Sequence, residues 1–284
     1  MIWKKIIWGS LLFIACDNEQ VVKHISAEDK HISIEKSMLF GSSQQIVDFY
    51  AKMNFERIWL NSENRSDLIS AIIDSQYDGV LLKDYPLQKL INAHWNYQLL
   101  SDTQLKKVDI AFTETYFKLA KQLAIGKVNP KKLYGDWEPY MQEKAYDSLL
   151  MKAINNNEVY NKLEDIKPKN KLYTQYKKAF AKYVPLVYSE APLLENDLGK
   201  KIWINLERTK WLPPNLGVHY VWVNLPEYQL KVYTNNQLSA THKVIIGTKE
   251  RRTPILSSTF SRIIINPTWT IPPTILKKDV VPKA

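Results

Sequence analysis

At Val218 the spacing of apolar residues changes from a period of 3.6 to a period of 2, which confines the fold to a helical part followed by a β part. Downstream, His219-Tyr-Val-Trp-Val-Asn224 alternates, Leu225-Pro226 interrupts, and Tyr228, Leu230 and Val232 alternate against Gln229, Lys231 and Tyr233. Asn235-Asn236 supplies the residues of a tight hairpin turn. Thr241 to Gly247 and Thr259 to Asn266 read as further strands, the second a buried one because of its Ile263-Ile264-Ile265 run. The expected class is α+β with segregated parts.

Upstream, apolar residues recur three and four apart. Ile46, Phe49, Tyr50 and Met53 share one helix face, with Ser42 or Ser43 placed to cap its start. A second helix is expected over Ser66–Tyr77, closed by Asp78-Gly79, a third over Leu87–Leu99, and a fourth over Asp102–Ala124, ending at Gly126. Lys127-Val-Asn-Pro130, Trp137 and Pro139 form a connector without a strand pattern. Helices resume over Ala145–Asn155 and Lys171–Tyr183. After a linker bracketed by Pro185 and Pro192, a last helix covers Asp197–Trp211 and is stopped by Pro213-Pro214. The aromatic residues of these helices are core packing.

Lys4-Lys5 precede an apolar run from Ile6 to Ala15, too short to span a bilayer but fitting the apolar region of an export signal. The run ends in Phe13-Ile-Ala-Cys16, which resembles the lipobox of bacterial lipoproteins, where the cysteine receives a lipid before cleavage. On that resemblance Cys16 is the lipidation site, and several acyl chains on one residue give the stable anchoring that one chain does not. The protein is then exported and membrane-anchored, facing the periplasm. Asp17 to Glu35, polar and mixed in charge, reads as a tether.

Cys16 is the only cysteine, so neither an internal disulfide nor a cysteine-based zinc site can form. The five histidines, His24, His31, His94, His219 and His242, show no metal-ligand spacing and no Ser-His-Asp order. No metal and no cofactor are expected. The net charge of +10 comes from scattered lysine pairs such as Lys106-Lys107 and Lys200-Lys201, not from a dense stripe interleaved with aromatics. That distribution argues against nucleic acid as a partner.

Several stretches carry a specific resemblance. Val221-Trp-Val-Asn-Leu-Pro-Glu-Tyr-Gln-Leu-Lys-Val-Tyr233, Val244-Ile-Ile-Gly247, Arg252-Thr-Pro254 and Asn266-Pro-Thr-Trp-Thr-Ile-Pro-Pro273 resemble the opening of the catalytic domain of murein L,D-transpeptidases. Gly126-Lys-Val-Asn-Pro130 with Trp137, and Ile202 to Pro213 around Arg208 and Trp211, are similar to the scaffold of the large periplasmic members. The resemblance implies peptidoglycan stem peptides as substrate and cell-wall synthesis enzymes as partners. In that family a cysteine thiolate beside a histidine attacks the carbonyl between the third and fourth stem residues and expels the terminal D-amino acid. An acceptor amine then resolves the thioester into a 3→3 cross-link.

The family's nucleophile lies in a Ser-x-Gly-Cys-x-Arg motif downstream of the Asn-Pro-x-Trp stretch, and neither that motif nor its histidine occurs in these residues. The expectation is therefore a truncated chain, inactive alone, with no catalytic residue of its own. The short interval from Tyr183 to Asp197 also leaves no room for the peptidoglycan-binding module that large members often carry there. Thr253, Asn266 and Trp269 are expected to shape one wall of the substrate groove, Trp269 by its apolar face and Asn266 by its amide. The expected layout is a signal at 1–15, tether at 16–41, helical scaffold at 42–184, linker and connecting helix at 185–217, and incomplete catalytic domain at 218–284. The alternative is a non-catalytic lipoprotein that binds murein or scaffolds an enzyme.

Overall fold

The computed structural model describes residues 32–135, 144–184, 196–268 and 270–281. The expected signal, Cys16, most of the tether, Trp137, Pro139, the 185–195 linker and Trp269 lie outside them. Two compact units divide the chain: residues 1–126 with 143–210, and residues 127–142 with 211–284.

The first unit is helical: α1 (Gln44–Lys52), α2 (Ser62–Asp74), α3 (Leu87–Trp95), α4 (Asp102–Ile125), α6 (Tyr146–Asn156), α7 (Val159–Asp165), α8 (Lys171–Phe180) and α9 (Asp197–Thr209). The intervening short helix α5 (Pro130–Leu133) belongs to the second unit. Helix α4 forms the spine of the first unit because its 24 residues present Phe112, Tyr116, Leu119 and Leu123 to the core along one face. Its start is fixed by a capping box between Ser101 and Gln104, and its end by Gly126 at φ 86°. Phe49 meets Tyr50 and Phe117 edge-on, with ring centroids 5.5 and 5.4 Å apart.

Besides an unexpected helix α7 and helices α3 and α8 that end three to four residues early, three differences from the sequence reading have a clear cause or consequence. Helix α2 starts at Ser62, four residues early, because Asn61 caps it by accepting the Glu63 N–H at 2.8 Å. Residues 32–41, expected within the tether, pack onto the scaffold instead. The Ile34 N–H donates to the Phe55 carbonyl at 2.7 Å, and the Ile34 and Leu39 side chains are buried in the core. Helix α9, expected as a connector, belongs to the first unit, where Leu206 packs with Tyr173 and Phe180 of α8. The indole N–H of Trp203 also donates to the Gly79 carbonyl at 2.8 Å, which needs a glycine there, since a Cβ would lie 3.0 Å from the Trp203 ring.

The second unit holds a three-stranded antiparallel meander, β1 (His219–Asn224), β2 (Gln229–Thr234) and β3 (Gln237–Lys243). Asn235 and Asn236, at φ 52° and 61°, make the β2–β3 turn, as two asparagines can at modest strain. Tyr220 and Tyr233 stand opposite each other in the β1–β2 register and stack with centroids 4.5 Å apart.

The strand expected over Thr241–Gly247 ends at Lys243, and Thr259–Asn266 forms no strand. Ile263, Ile264 and Ile265 are 88, 65 and 84% exposed. A run of isoleucines becomes a buried strand only where a neighbour supplies hydrogen bonds and an apolar cover. Among the described residues none does.

Candidate functional site

The segment after β3 carries the candidate groove wall. Val244 leaves the sheet with its N–H still donating to the Tyr228 carbonyl at 3.0 Å. The chain then turns back on itself over Gly247–Thr253. The Gly247 N–H donates to the Thr253 hydroxyl at 2.7 Å, and the Arg251 N–H donates to the Thr248 hydroxyl at 3.2 Å. A Cβ on Gly247 would lie 2.0 Å from the Arg251 carbonyl oxygen, so only glycine permits this approach. Sequence reasoning quoted Gly247 without giving it a role. Its signal is a lone glycine at the end of an apolar run, followed by charged residues and Thr-Pro.

Thr253 is thereby held half-buried at the closing point of the turn, directly before Pro254. Asn266 lies farther on, exposed and at φ 48°, a left-handed conformation that asparagine tolerates better than other side chains. With Pro267 it redirects the chain. No hydrogen bond joins Thr253 to Asn266 among the described residues, and Trp269 lies outside them. Pro272 then accepts the N–H groups of Ile275 and Leu276 at 3.0 and 2.9 Å, and Pro273 opens a helical turn, Pro273–Ile275.

The turn at Thr248 is polar. Glu250 sits below the ordinary carboxylate range because its own backbone N–H and the Thr248 hydroxyl favour the ionised form. The Arg252 guanidinium donates to the Lys249 carbonyl at 3.3 Å. His219 and His242 fall in strands β1 and β3 opposite Thr234 and Leu230. No cluster of three or more potential metal ligands occurs among the described residues.

At the C-terminal end of α4, the Gln122 carbonyl accepts from the Lys210 ammonium at 3.2 Å, and its side-chain oxygen accepts from the Tyr85 hydroxyl at 2.7 Å. Lys210 is also paired with Glu207 at 3.1 Å, and the Glu207 carboxylate occupies the space where a Cβ on Gly126 would sit, 2.3 Å away. In the second unit, Asn129 caps α5 by accepting the Lys131 N–H at 3.0 Å, with Pro130 at the first helical position. Both ends of the Gly126-Lys-Val-Asn-Pro130 stretch thus have local structural reasons for their residues.

Residues 44–180 match the family described as a scaffold domain, and residues 218–284 match the L,D-transpeptidase catalytic domain. The chain belongs to the scaffold-bearing L,D-transpeptidases. A Haemophilus influenzae protein, assigned by its name to the L,D-transpeptidases, is 28% identical over 134 residues. That match covers 47% of this chain and 26% of the relative, so the chain matches about a quarter of the relative's length. The Thr253 turn and Asn266 both fall inside the matched catalytic domain. The helical core around α4 falls inside the matched scaffold.

Proposed function

We propose that the chain is the scaffold and groove-wall portion of an envelope lipoprotein of the peptidoglycan L,D-transpeptidase type, which forms 3→3 cross-links between stem peptides through a cysteine thioester. The observation that carries this reading is the match of residues 218–284 to the catalytic domain, together with the Gly247–Thr253 turn that fixes Thr253 inside it. On this reading Thr253, Asn266 and Trp269 receive the stem peptide, and Cys16 carries a lipid that holds the protein at the membrane, facing the periplasm.

Acyl transfer of this type needs a thiolate and a base within hydrogen-bond reach of each other. The 284 residues hold one cysteine, Cys16, inside the export-signal pattern, where lipidation would convert its sulfur to a thioether. These residues alone are therefore expected to bind the donor stem without cleaving it. Mass spectrometry of the chain incubated with a murein tetrapeptide tests this: no D-alanine release and no acyl adduct are expected. Release of D-alanine by these residues would overturn the assignment. Reading the coding DNA past codon 284 for a histidine followed by Ser-x-Gly-Cys-x-Arg tests the remainder, and absence of that pattern would sink the transpeptidase reading.

One observation favours a second reading, a non-catalytic murein-binding or enzyme-scaffolding lipoprotein. The helical unit builds an extensive core of its own around Trp59, Phe112 and Tyr116. A self-sufficient scaffold could serve without the chemistry. Retention on purified sacculi in the absence of any transpeptidase gene product would support it.

A further inference from the structure

Arg65, in the first turns of α2, is 3% exposed, yet only part of its guanidinium is used. Its Nη1 donates to the main-chain carbonyls of Trp59 at 2.6 Å and Leu60 at 2.8 Å, which takes both hydrogens of that nitrogen. The other edge, Nε with Nη2, meets no hydrogen-bond acceptor among the described residues, and Nε is buried. Among the same residues no carboxylate stands within ion-pair distance of Arg65. Asp109, close enough to act on Arg65 electrostatically, is already engaged by the Tyr50 hydroxyl and the N–H groups of Ile58 and Trp59. A buried donor edge without an acceptor is costly in a folded protein, so it calls for an acceptor from outside these residues.

The edge is held in place by its neighbours. The guanidinium carbon lies 3.5 Å from the centroid of the Tyr97 ring, in the short turn Tyr97–Leu99 after α3. Arg57, also buried, donates from Nη1 to the Tyr97 hydroxyl at 3.3 Å and brings a second guanidinium to the same tyrosine. His94 stands near the end of α3, which packs against α2, and its buried Nδ1 has no hydrogen-bond partner among the described residues. Burial, and then the Arg65 charge, lower the His94 pKa and favour the neutral ring. Trp95, whose ring meets His94 edge-on at 5.2 Å, and Leu99 are 78 and 82% exposed and supply apolar surface beside the two arginines.

We propose that the open edge of Arg65 binds a carboxylate of a murein stem peptide, with Arg57 adding charge and His94 a further hydrogen bond. The choice of a murein peptide rests on the peptidoglycan reading above, whereas the carboxylate rests on the geometry. A carboxylate meets the side edge of a guanidinium through two parallel hydrogen bonds, and a lysine cannot reproduce that fork. A small phosphate fits the same edge, but the exposed indole and leucine next to it suit a peptide. Stem capture is then a property of the scaffold itself, separate from the Thr253 turn.

The test titrates the isotope-labelled 284-residue chain with a murein tetrapeptide, with the same peptide amidated at its carboxylates, and with inorganic phosphate, following the Arg65 Nε–H and His94 ring signals. Saturable shifts of both signals are expected with the free-acid peptide, and binding at least about tenfold weaker with the amidated peptide and with phosphate. Arg65→Lys keeps the charge without the fork and should weaken the same binding about tenfold, read from His94. Trp95→Ala, at an exposed position, should weaken it severalfold with an unchanged thermal midpoint, so the test stands even where Arg65→Lys fails to fold. No shift of either signal, equal affinity for the amidated peptide, or full affinity in the variants overturns the proposal. So does tighter binding of phosphate than of peptide, which would make the site one for a small anion. Shifts confined to Gly247–Thr253 would sink this proposal and leave the groove wall standing. Absence of the Ser-x-Gly-Cys-x-Arg pattern past codon 284 would sink the transpeptidase reading and leave the Arg65 shifts unchanged.

Discussion

The ammonium group of Lys167 lies 2.6 Å from the carboxylate of Asp78, 89 residues away in sequence, with both side chains nearly or fully removed from solvent. Tyr173 donates to the same carboxylate at 2.5 Å, and Lys177 pairs with it at 2.7 Å. One buried anion thus ties the Ser75–Asp78 turn after α2 to the α7–α8 connection and to α8. Burial alone would raise the Asp78 pKa, but the two ammonium groups and their hydrogen bonds outweigh it and hold the carboxyl below the ordinary range.

Lys167→Met removes one partner and leaves the buried carboxylate short of compensation, at a cost of about 3 kcal/mol. The double variant with Asp78→Asn should cost less than the sum of the single changes, because no charge is then stranded. Urea denaturation of the four proteins in the cycle checks this. Additive losses would mean that the pair is not coupled.

Asp109 behaves in the opposite sense. Burial pushes it up to about 6, although the Tyr50 hydroxyl and the N–H groups of Trp59 and Ile58 all donate to it. A folded value above the ordinary 3.8 means that its contribution to stability is fully present below about pH 4 and is lost as pH rises through 6. The shift corresponds to roughly 3 kcal/mol. Asp109→Asn removes this dependence, so relative to wild type the variant should improve by about that amount between pH 4 and pH 7. For Asp78 the lowered value gives stability that is present above about pH 4 and lost as pH falls further. Unfolding curves at several pH values would show both slopes, and parallel profiles for wild type and Asp109→Asn would contradict the assignment.

Gly126 adopts φ 86° with the Glu207 carboxylate against its Cα. Gly126→Ala therefore meets both backbone strain and a clash, with an expected loss of about 2 kcal/mol and a fall in melting temperature of several degrees. Because Glu207→Ala alone also leaves the buried Lys210 without its carboxylate, the comparison is made in that background, where Gly126→Ala should cost less by the part due to the clash. No reduction would place the whole cost in the backbone.

In the hairpin, Asn236→Gly should be neutral or stabilising by about 0.5 kcal/mol, since φ 61° costs glycine nothing, whereas Asn236→Val should open the β2–β3 pair. Amide hydrogen exchange along Gln237–Lys243 reports either result.

What was readable in advance was local chemistry. Gly79 and Gly126 ended helices, Asn235-Asn236 turned the hairpin, and the change of period at Val218 separated helix from strand, because each depends on a few neighbouring residues. What was hidden depends on distant partners. The helix expected from Ser66 begins at Ser62, and Asn64 and Arg65 are buried, since Ile154 and Trp59 supply carbonyls to their donors. Ile263-Ile264-Ile265 carries a strand pattern, but pattern alone provides no neighbouring strand. At the site, Thr253 and Asn266 were named from family resemblance, while the close approach that makes Gly247 obligatory shows only in three dimensions.

The central claim, that residues 218–284 form a wall that receives a murein stem peptide, is tested most directly by titrating an isotope-labelled chain with a murein tetrapeptide and following amide shifts. Saturable shifts confined to Gly247–Thr253 and the Asn266–Thr270 stretch, abolished by Trp269→Ala and weakened by Thr253→Val, are the predicted result. An absence of shifts there, or equal shifts with an unrelated peptide of the same charge, would contradict it.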